Sequence, residues 1–229
     1  MMNSVLSGAR IVANFNSPKM RIVITGGPSS VPIDAVRSIT NHSTGELAVI
    51  LAQRFRAAAN EVELFLGKRS IFRIFEAQFF DTNEDLERLL SVVAKREEVG
   101  VVLHAAALAD FGVDRIVIPE EAKRAAKISS STTAVQLWLL PKSKLIAKLR
   151  QLFPQAFIVG WKFEVDGSPR EAVEKAVQQI KAHRTNACIV NGTAFGSGFG
   201  YCDETGLLYS AETKDELANL LVRLLPRMD

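Results

Sequence analysis

Short apolar runs alternate with amphipathic stretches along most of the chain. Arg21-Ile-Val-Ile-Thr25 is rich in β-branched residues and closes on Gly26-Gly27-Pro28, which predicts a strand ending in a tight turn. In residues 44–59, Leu47, Ile50, Leu51 and Phe55 share one helical face, and Val62-Glu-Leu-Phe-Leu66 reads as the next strand. Residues 83–96 carry a helical pattern. Val101-Val-Leu103 is a buried strand that runs into Ala105-Ala-Ala107, and Ala156-Phe-Ile-Val159 and Ala187-Cys-Ile-Val190 are two more. The helix between these last two starts at Ser168 as N-cap, with Pro169 at its first position and Glu171 closing a capping box. Thr213 and Glu216 repeat that box before Leu217, Leu220, Leu221 and Leu224.

Strands alternating with helices of this length build βαβ units, hence an α/β fold whose mostly parallel sheet is covered on both faces. Ligands of such sheets sit beyond the carboxyl ends of the strands, which selects residues 26–30, 105–110, 160–164 and 191–200. Residues 107–140 break the alternation. They are too long for an ordinary loop and contain the β-rich run Thr133-Ala-Val-Gln-Leu-Trp-Leu-Leu140, so they read as an arm crossing onto a second subunit.

Composition narrows the class. A length of 229 residues suits one large domain, at roughly 100–200 residues each. With 48% hydrophobic and 23% charged residues, disorder is excluded as the main description. A net charge of +3 lacks the concentrated basic stripe that nucleic acid requires. No Cys/His zinc cluster can be built at ligand spacing from Cys188, Cys202, His42, His104 and His183, and the two cysteines read as reduced thiols of a cytoplasmic protein. No run reaches the roughly 18–20 apolar residues that span a bilayer. Residues 1–19 have one early positive charge, Arg10, and no clean apolar centre. They read as an N-terminal extension, disordered or preceding the true start, and not as a signal peptide.

Several clusters carry candidate chemistry, each with a plainer alternative. A nucleotide phosphate can approach the Gly26-Gly27-Pro28 turn, although the turn is neither a dinucleotide fingerprint nor a P-loop; a plain tight turn explains the same residues. Asn41-His42-Ser43-Thr44-Gly45 precedes the first long helix, whose N-terminal N–H groups suit a phosphate. An ordinary cap made by Ser43 or Asn41 is the alternative. The planar fork of Arg37 can hold a carboxylate or phosphate, or lie on the surface. Asp110, after a run of small residues, can position a metal–phosphate complex or an amide, or cap the following turn. His104 reads as a hydrogen-bonded core histidine and not a base. Lys127 stands before Ile128 and three serines, where a lysine can neutralise a polyphosphate as a leaving group develops, or belong to a solvated loop. Glycines 192, 196, 198 and 200 form a flexible segment. The residues alone therefore reach an α/β enzyme handling a phosphorylated ligand.

In their order these pieces resemble the phosphopantothenoylcysteine synthetase (phosphopantothenate–cysteine ligase) family, in the single-function form of the DNA/pantothenate metabolism flavoprotein C-terminal domain. The resemblance covers residues 20–229 and rests on Ile24-Thr-Gly-Gly27, Pro32-Ile-Asp34, Val36-Arg-Ser-Ile-Thr-Asn-His-Ser-Thr-Gly45, Ala106-Ala-Leu-Ala-Asp-Phe111, Ala126-Lys-Ile-Ser-Ser130, Val159-Gly-Trp-Lys-Phe-Glu164 and Ile189-Val-Asn191. It implies a Rossmann-like three-layer sandwich that forms a homodimer with shared active sites, the 107–140 segment supplying the dimerisation arm and the lysine loop. It also implies CTP or ATP as co-substrate, CTP being the commoner bacterial donor, together with Mg²⁺. No flavin is expected, because the decarboxylase fused upstream in longer bacterial proteins has no counterpart here.

Residue by residue, the resemblance makes Asn41 and Lys127 catalytic. Asn41 would act on the acyl-nucleotide, and Lys127 would stabilise charge as that intermediate forms. Arg37, Asn41, Ala106, Ala107 and Asp110 would bind phosphopantothenate, with Arg37 reaching across the dimer. Gly26, Ser43, Gly45, Ala106, Asp110, Lys127, Trp161 and Asn191 would meet the nucleotide, with Trp161 in place of the family's usual phenylalanine. No protein metal ligand is expected. Four positions depart from the family: Glu46 stands where a basic residue is frequent, Ala48 where glycine is, and Gln179 and His183 where the fused bacterial enzymes carry lysines. Those departures motivate an alternative, a non-catalytic nucleotide-binding homologue.

Overall fold

The structure is a computed structural model that describes residues 20–96, 98–118 and 126–225; the proposed extension at residues 1–19 lies outside them. Strand β1 (Arg21–Gly26) leads through a small hairpin, β2 (Ser30–Pro32) and β3 (Ser38–Thr40), into α1 (Glu46–Ala57), β4 (Glu61–Gly67) and β5 (Gln78–Phe80). Helix α2 (Asn83–Arg96) and β6 (Val101–His104) follow, then an antiparallel ribbon of β7 (Phe111–Val117) and β8 (Gln136–Pro141). The C-terminal half runs α3 (Ile146–Leu152), β9 (Phe157–Phe163), α4 (Pro169–His183), β10 (Ala187–Asn191), β11 (Phe199–Asp203), β12 (Gly206–Ala211) and α5 (Lys214–Leu224).

The central sheet has the order β12-β11-β10-β9-β6-β1-β4-β5. Its strands from β5 to β10 are parallel, and β11 and β12 add an antiparallel edge. Alternate residues of β1 serve the two faces: Ile22 and Ile24 pack with α1 and α5, whereas Val23 packs with α2 and α3. Helix α4 covers Cys188, Val190 and Cys202 beside this second layer. Fully burying each such aliphatic side chain stabilises the fold by roughly 1.5–3 kcal/mol, so the two layers fix the register of every central strand. The result is the expected Rossmann-like α/β sandwich.

Helix starts follow the predicted chemistry to different degrees. The Ser168 hydroxyl accepts from the Glu171 N–H, and Glu171 returns a bond to the Ser168 N–H at 2.7 Å, completing the box. Thr213 accepts from the Glu216 N–H, but the Glu216 carboxylate reaches one residue further back, to the Glu212 N–H. Neither Ser43 nor Asn41 caps α1. The helix opens on Gly45 in the left-handed conformation, φ +78°, with no side-chain cap, and the Thr44 hydroxyl accepts from the Glu46 N–H at 3.3 Å.

Elsewhere the tertiary structure adds what periodicity did not show. The glycine-rich 191–200 segment ends in the edge hairpin of β11 and β12, and residues 111–117 form the ribbon strand that partners β8. Cys188 and Cys202 stand opposite each other on β10 and β11 as buried free thiols. Burial pushes both thiols up, Cys202 to about 11. Among the described residues no helix is long and apolar enough to cross a membrane.

Candidate functional site

Strand β1 sends its chain one way, to β4, while β6 lies on its other side. The carboxyl ends of β1 and β6 therefore flank the point where the strand order reverses, the usual place for a ligand crevice in an open α/β sheet. The two loops that leave these strands are laced together. The Ala107 N–H donates to the Gly27 carbonyl at 2.9 Å, and the Ser29 N–H donates to the Ala107 carbonyl at 3.2 Å. The Ser29 hydroxyl accepts from the Ala109 N–H at 2.9 Å, and the Asn83 amide donates to the Ala109 carbonyl at 2.8 Å. Small side chains at positions 105–107 permit this close approach of backbones.

Asn41 joins the same lacing. Its side-chain amide donates to the carbonyls of Ala107 and Leu108 at 3.2 and 2.9 Å. Asn41 is itself exposed. The His104 imidazole lies beneath, within 2.8 Å of the Thr25 hydroxyl through Nδ1. It is buried, and burial lowers its pKa to about 4. That neutral ring supports the loop as a core histidine and does not reach the crevice as a base.

The turn after β1 and the start of α1 converge on one buried side chain, Ser70. A Cβ on Gly27 would fall 2.0 Å from the Ser70 hydroxyl oxygen, and one on Gly45 would fall 2.7 Å from it. Both glycines also have positive φ, so a side chain at either position is blocked twice over. Gly26 is equally closed, because a Cβ there would meet that of Ala48 at 2.2 Å. Ala48 therefore matches the close seating of α1 on β1 as the smallest residue with a side chain. Glu46 at the first turn of α1 is ion-paired with Lys214 of α5, which compensates its charge beside Gly45.

On the opposite flank, Arg37 and the Lys127 loop meet through a residue to which the motif reading assigned no role. The Asp34 carboxylate accepts from the N–H groups of Val36, Arg37 and Ile128 at 2.8, 2.7 and 3.0 Å, and from the Arg37 guanidinium at 2.5 Å. These donors hold its pKa down to about 2, the Val36 N–H most strongly. An Asp three residues before an Arg was the available signal, since an aspartate at that spacing bonds its own turn. Lys127 itself is exposed.

Trp161 and Asn191 lie on β9 and β10, further along the same carboxyl edge of the sheet, and make no described contact with Asn41 or Lys127. Trp161 is half-buried, and its indole N–H lacks a hydrogen-bond partner among the described residues. Gln179 donates to the Trp161 carbonyl at 3.3 Å. Burial, then Lys144 and Lys162, lowers the pKa of His183. Burial works to raise the Glu164 carboxyl, but hydrogen bonds from Lys175 and Lys162 prevail and lower it. The cations near this end of the sheet thus come from β9, α4 and the β8–α3 turn, where Lys144 also lies 3.4 Å from Asp110. Ser43 is half-buried and Asp110 exposed.

Comparison with known proteins places this geometry in a family. The sequence profile of the DNA/pantothenate metabolism flavoprotein C-terminal domain matches residues 18–223. The coenzyme A biosynthesis bifunctional protein CoaBC of Thermococcus kodakarensis is 32% identical over 179 residues, 77% of this chain and 42% of that protein. Its counterpart in Methanocaldococcus jannaschii is 24% identical over 184 residues, 80% of this chain and 43% of that protein. The chain thus spans about two fifths of the length of these relatives. The crystal structure of the DNA/pantothenate metabolism flavoprotein from Streptococcus pneumoniae superposes with a TM-score of 0.77 at 25% identity, over 89% of this chain and 97% of that one. A Cab2 variant in complex with phosphopantothenate-cysteine has a TM-score of 0.68 at 18% identity, over 89% of this chain and 85% of that one, a likeness of fold.

Proposed function

The chain belongs to the DNA/pantothenate metabolism flavoprotein C-terminal domain family, and from that premise we propose that it is a phosphopantothenate–cysteine ligase. The observation that carries the reading is the lacing of the loops after β1 and β6, in which the Gly27 and Ser29 backbone and the Asn41 amide bond to residues 107–108, while Gly27 and Gly45 close on Ser70 beside them. The kinship with proteins of coenzyme A biosynthesis supports the same substrate class.

A carboxylate resists attack by an amine, so it is first activated. The 4′-phosphopantothenate carboxylate oxygen attacks the α-phosphorus of the nucleotide, and the bond to the β-phosphate oxygen breaks to release pyrophosphate. The cysteine amine then attacks the acyl carbon of the mixed anhydride, loses a proton, and displaces the nucleoside monophosphate. No electron is gained or lost in either step.

The residues divide the work by their chemistry. Lys127 offsets the negative charge that grows on the departing pyrophosphate. Asn41, whose amide N–H groups are committed to the Ala107 and Leu108 carbonyls, presents its oxygen to the substrate and the acyl-nucleotide. The N–H groups around Gly26 and Gly45 receive phosphate, and Trp161 and Asn191 receive the nucleoside. Mg²⁺ arrives with the triphosphate as part of the substrate. No group of three or more His, Cys, Asp and Glu that could hold a metal occurs among the described residues, and the exposed Asp110 is the carboxylate at hand. The ion pair of Glu46 with Lys214 offsets the charge that would otherwise repel a triphosphate at this helix start.

The arm completes the proposal. Phe111, Trp138, Leu139 and Leu140 are exposed on the two-stranded ribbon, and a second copy of the chain covers them in a dimer that shares its active sites, with Arg37, and the Lys127 loop bonded to it, reaching into the partner's.

The test incubates the protein with 4′-phosphopantothenate, cysteine, Mg²⁺ and either CTP or ATP, following pyrophosphate, nucleoside monophosphate and the cysteine adduct by mass spectrometry. Product with one nucleotide is expected, and it names the donor. Lys127→Gln lowers pyrophosphate release by about 10²–10³-fold, the cost of removing one transition-state charge partner, whereas Asn41→Asp lets the acyl-nucleotide accumulate. A folded protein that binds nucleotide but turns over neither donor makes the non-catalytic homologue the better description.

A further inference from the structure

We propose that Asp34 is a positioning residue that sets the Arg37 guanidinium and the Lys127 loop in one frame, so that the groups receiving the phosphate or carboxylate of one substrate and the polyphosphate of the other are placed together. The inference rests on the ligase reading for what those two residues meet. It rests on geometry alone for the tie between them.

The tie is specific in its atoms. Oδ1 of Asp34 accepts the Val36 and Arg37 N–H groups and so closes the turn between β2 and β3. Oδ2 faces away from that turn, accepting the Arg37 Nη1 at 2.5 Å and the Ile128 N–H at 3.0 Å. Nη1 also donates to the Ile128 carbonyl at 3.1 Å, and the Ala35 N–H donates to the Ala126 carbonyl at 3.0 Å. Lys127 is therefore held by its neighbours on both sides, and both links run to the turn that carries Asp34. Among the described residues these contacts engage only Nη1 of the guanidinium, so its Nε and Nη2 fork is the part offered to an anion.

The burial pattern gives the tie its strength. The Asp34 side chain is 3% exposed, while Arg37 is 43% exposed. A carboxylate withdrawn this far from water is stable as an anion only while it accepts hydrogen bonds on both oxygens. Ile128 is buried beside it, so the lysine loop is anchored by an apolar side chain as well as by the carboxylate. A solvated loop needs neither feature.

Asp34→Asn separates the two functions of the carboxylate. The amide oxygen can replace Oδ1 and keep the turn, but the amide nitrogen then meets two donors, Arg37 Nη1 and the Ile128 N–H, where an acceptor is required. In the ligase assay the expected result is a rise of about 10-fold in KM for 4′-phosphopantothenate and a fall of about 10–100-fold in pyrophosphate release, in line with the loss of charge-assisted hydrogen bonds to a buried group. In a Lys127→Gln background the same change lowers the remaining rate by no more than about 3-fold, because residues acting through one another are not additive. Full additivity of the two changes, or an unaltered KM and rate, overturns the inference.

Two further measurements need no turnover. Trypsin cleaves the Lys127–Ile128 bond of Asp34→Asn at least about 10-fold faster than that of the unaltered protein, once the amide anchor is gone. Equal cleavage overturns the tie. In the unaltered protein the Ile128 amide exchanges hydrogen more slowly than those of Ser129 and Ser130; equal rates overturn it even if the variant does not fold. An inactive but folded wild-type protein that passes both measurements retains the tie and loses the ligase reading.

Discussion

Val101-Val-Leu103 and Leu137-Trp-Leu-Leu140 are comparably apolar stretches of strand, and the fold treats them in opposite ways. The first lies at the centre of the sheet, paired with β1 on one side and β9 on the other, with no exposed side chain. The second forms one side of a two-stranded ribbon on which Trp138 and Leu140 are 54% and 56% exposed. An isolated pair of strands has too little apolar burial to be stable alone. The loops at the ends of β1 and β6 are therefore laced together within the chain, whereas among the described residues the ribbon leaves an apolar surface exposed. Arg115 stacked over Trp138 at 4.8 Å shields part of one ring and no more.

The largest expected effect tests the central half of this contrast. Leu103→Ala leaves a cavity between β6 and the layer of α1 and α5, and costs about 2–5 kcal/mol in urea unfolding. A loss below about 1 kcal/mol would mean that the sheet centre collapses as easily as a surface.

A second test uses pH. Burial lowers the folded-state pKa of His104 to about 4, below the ordinary value near 6.5. The unfolded chain therefore binds the proton first. Stability is complete above about pH 6.5 and falls by about 1.4 kcal/mol per pH unit toward pH 4, a total of about 3 kcal/mol. His104→Gln removes this slope in unfolding experiments; a slope that survives the substitution belongs to another group.

The smallest effect on stability is expected in the ribbon. Phe111→Ser and Leu140→Ser each change the unfolding free energy of the chain by no more than about 0.5 kcal/mol, as exposed positions do, while sedimentation is expected to show the proposed dimer dissociating toward single chains. Stability losses above about 2 kcal/mol with unchanged sedimentation would show that the ribbon packs within its own chain, and the comparison between the two regions would fail.

How much of this was legible beforehand depended on whether a signal was local. Capping at Ser168 is written within four residues, and the structure returns it bond for bond. The strand at 101–103 and the helix at 83–96 carry their own periodicity, and both stand where expected. The candidate residues on loops were legible as residue types at strand ends. Their alternatives stayed open, because a glycine before a helix reads alike as a cap or as an anion seat. Gly45 is the instructive case: it has a positive φ, and the Ser70 hydroxyl packed beside it belongs to a loop 25 residues away in sequence. Asp34 is another, since its bond to Ile128 spans 94 positions.

Taken by itself, the sequence determined the α/β class, the central strands, the principal helices and the order of the family's motifs, because hydrophobic periodicity and turn chemistry act over a few residues. Only the tertiary structure decided which strand lies beside which, that the loops after β1 and β6 are laced together, that Glu46 is met by Lys214, and that Asp34 joins Arg37 to the lysine loop. Those outcomes depend on groups distant in the chain finding the one packing that buries both faces of the sheet and leaves few polar atoms without a partner.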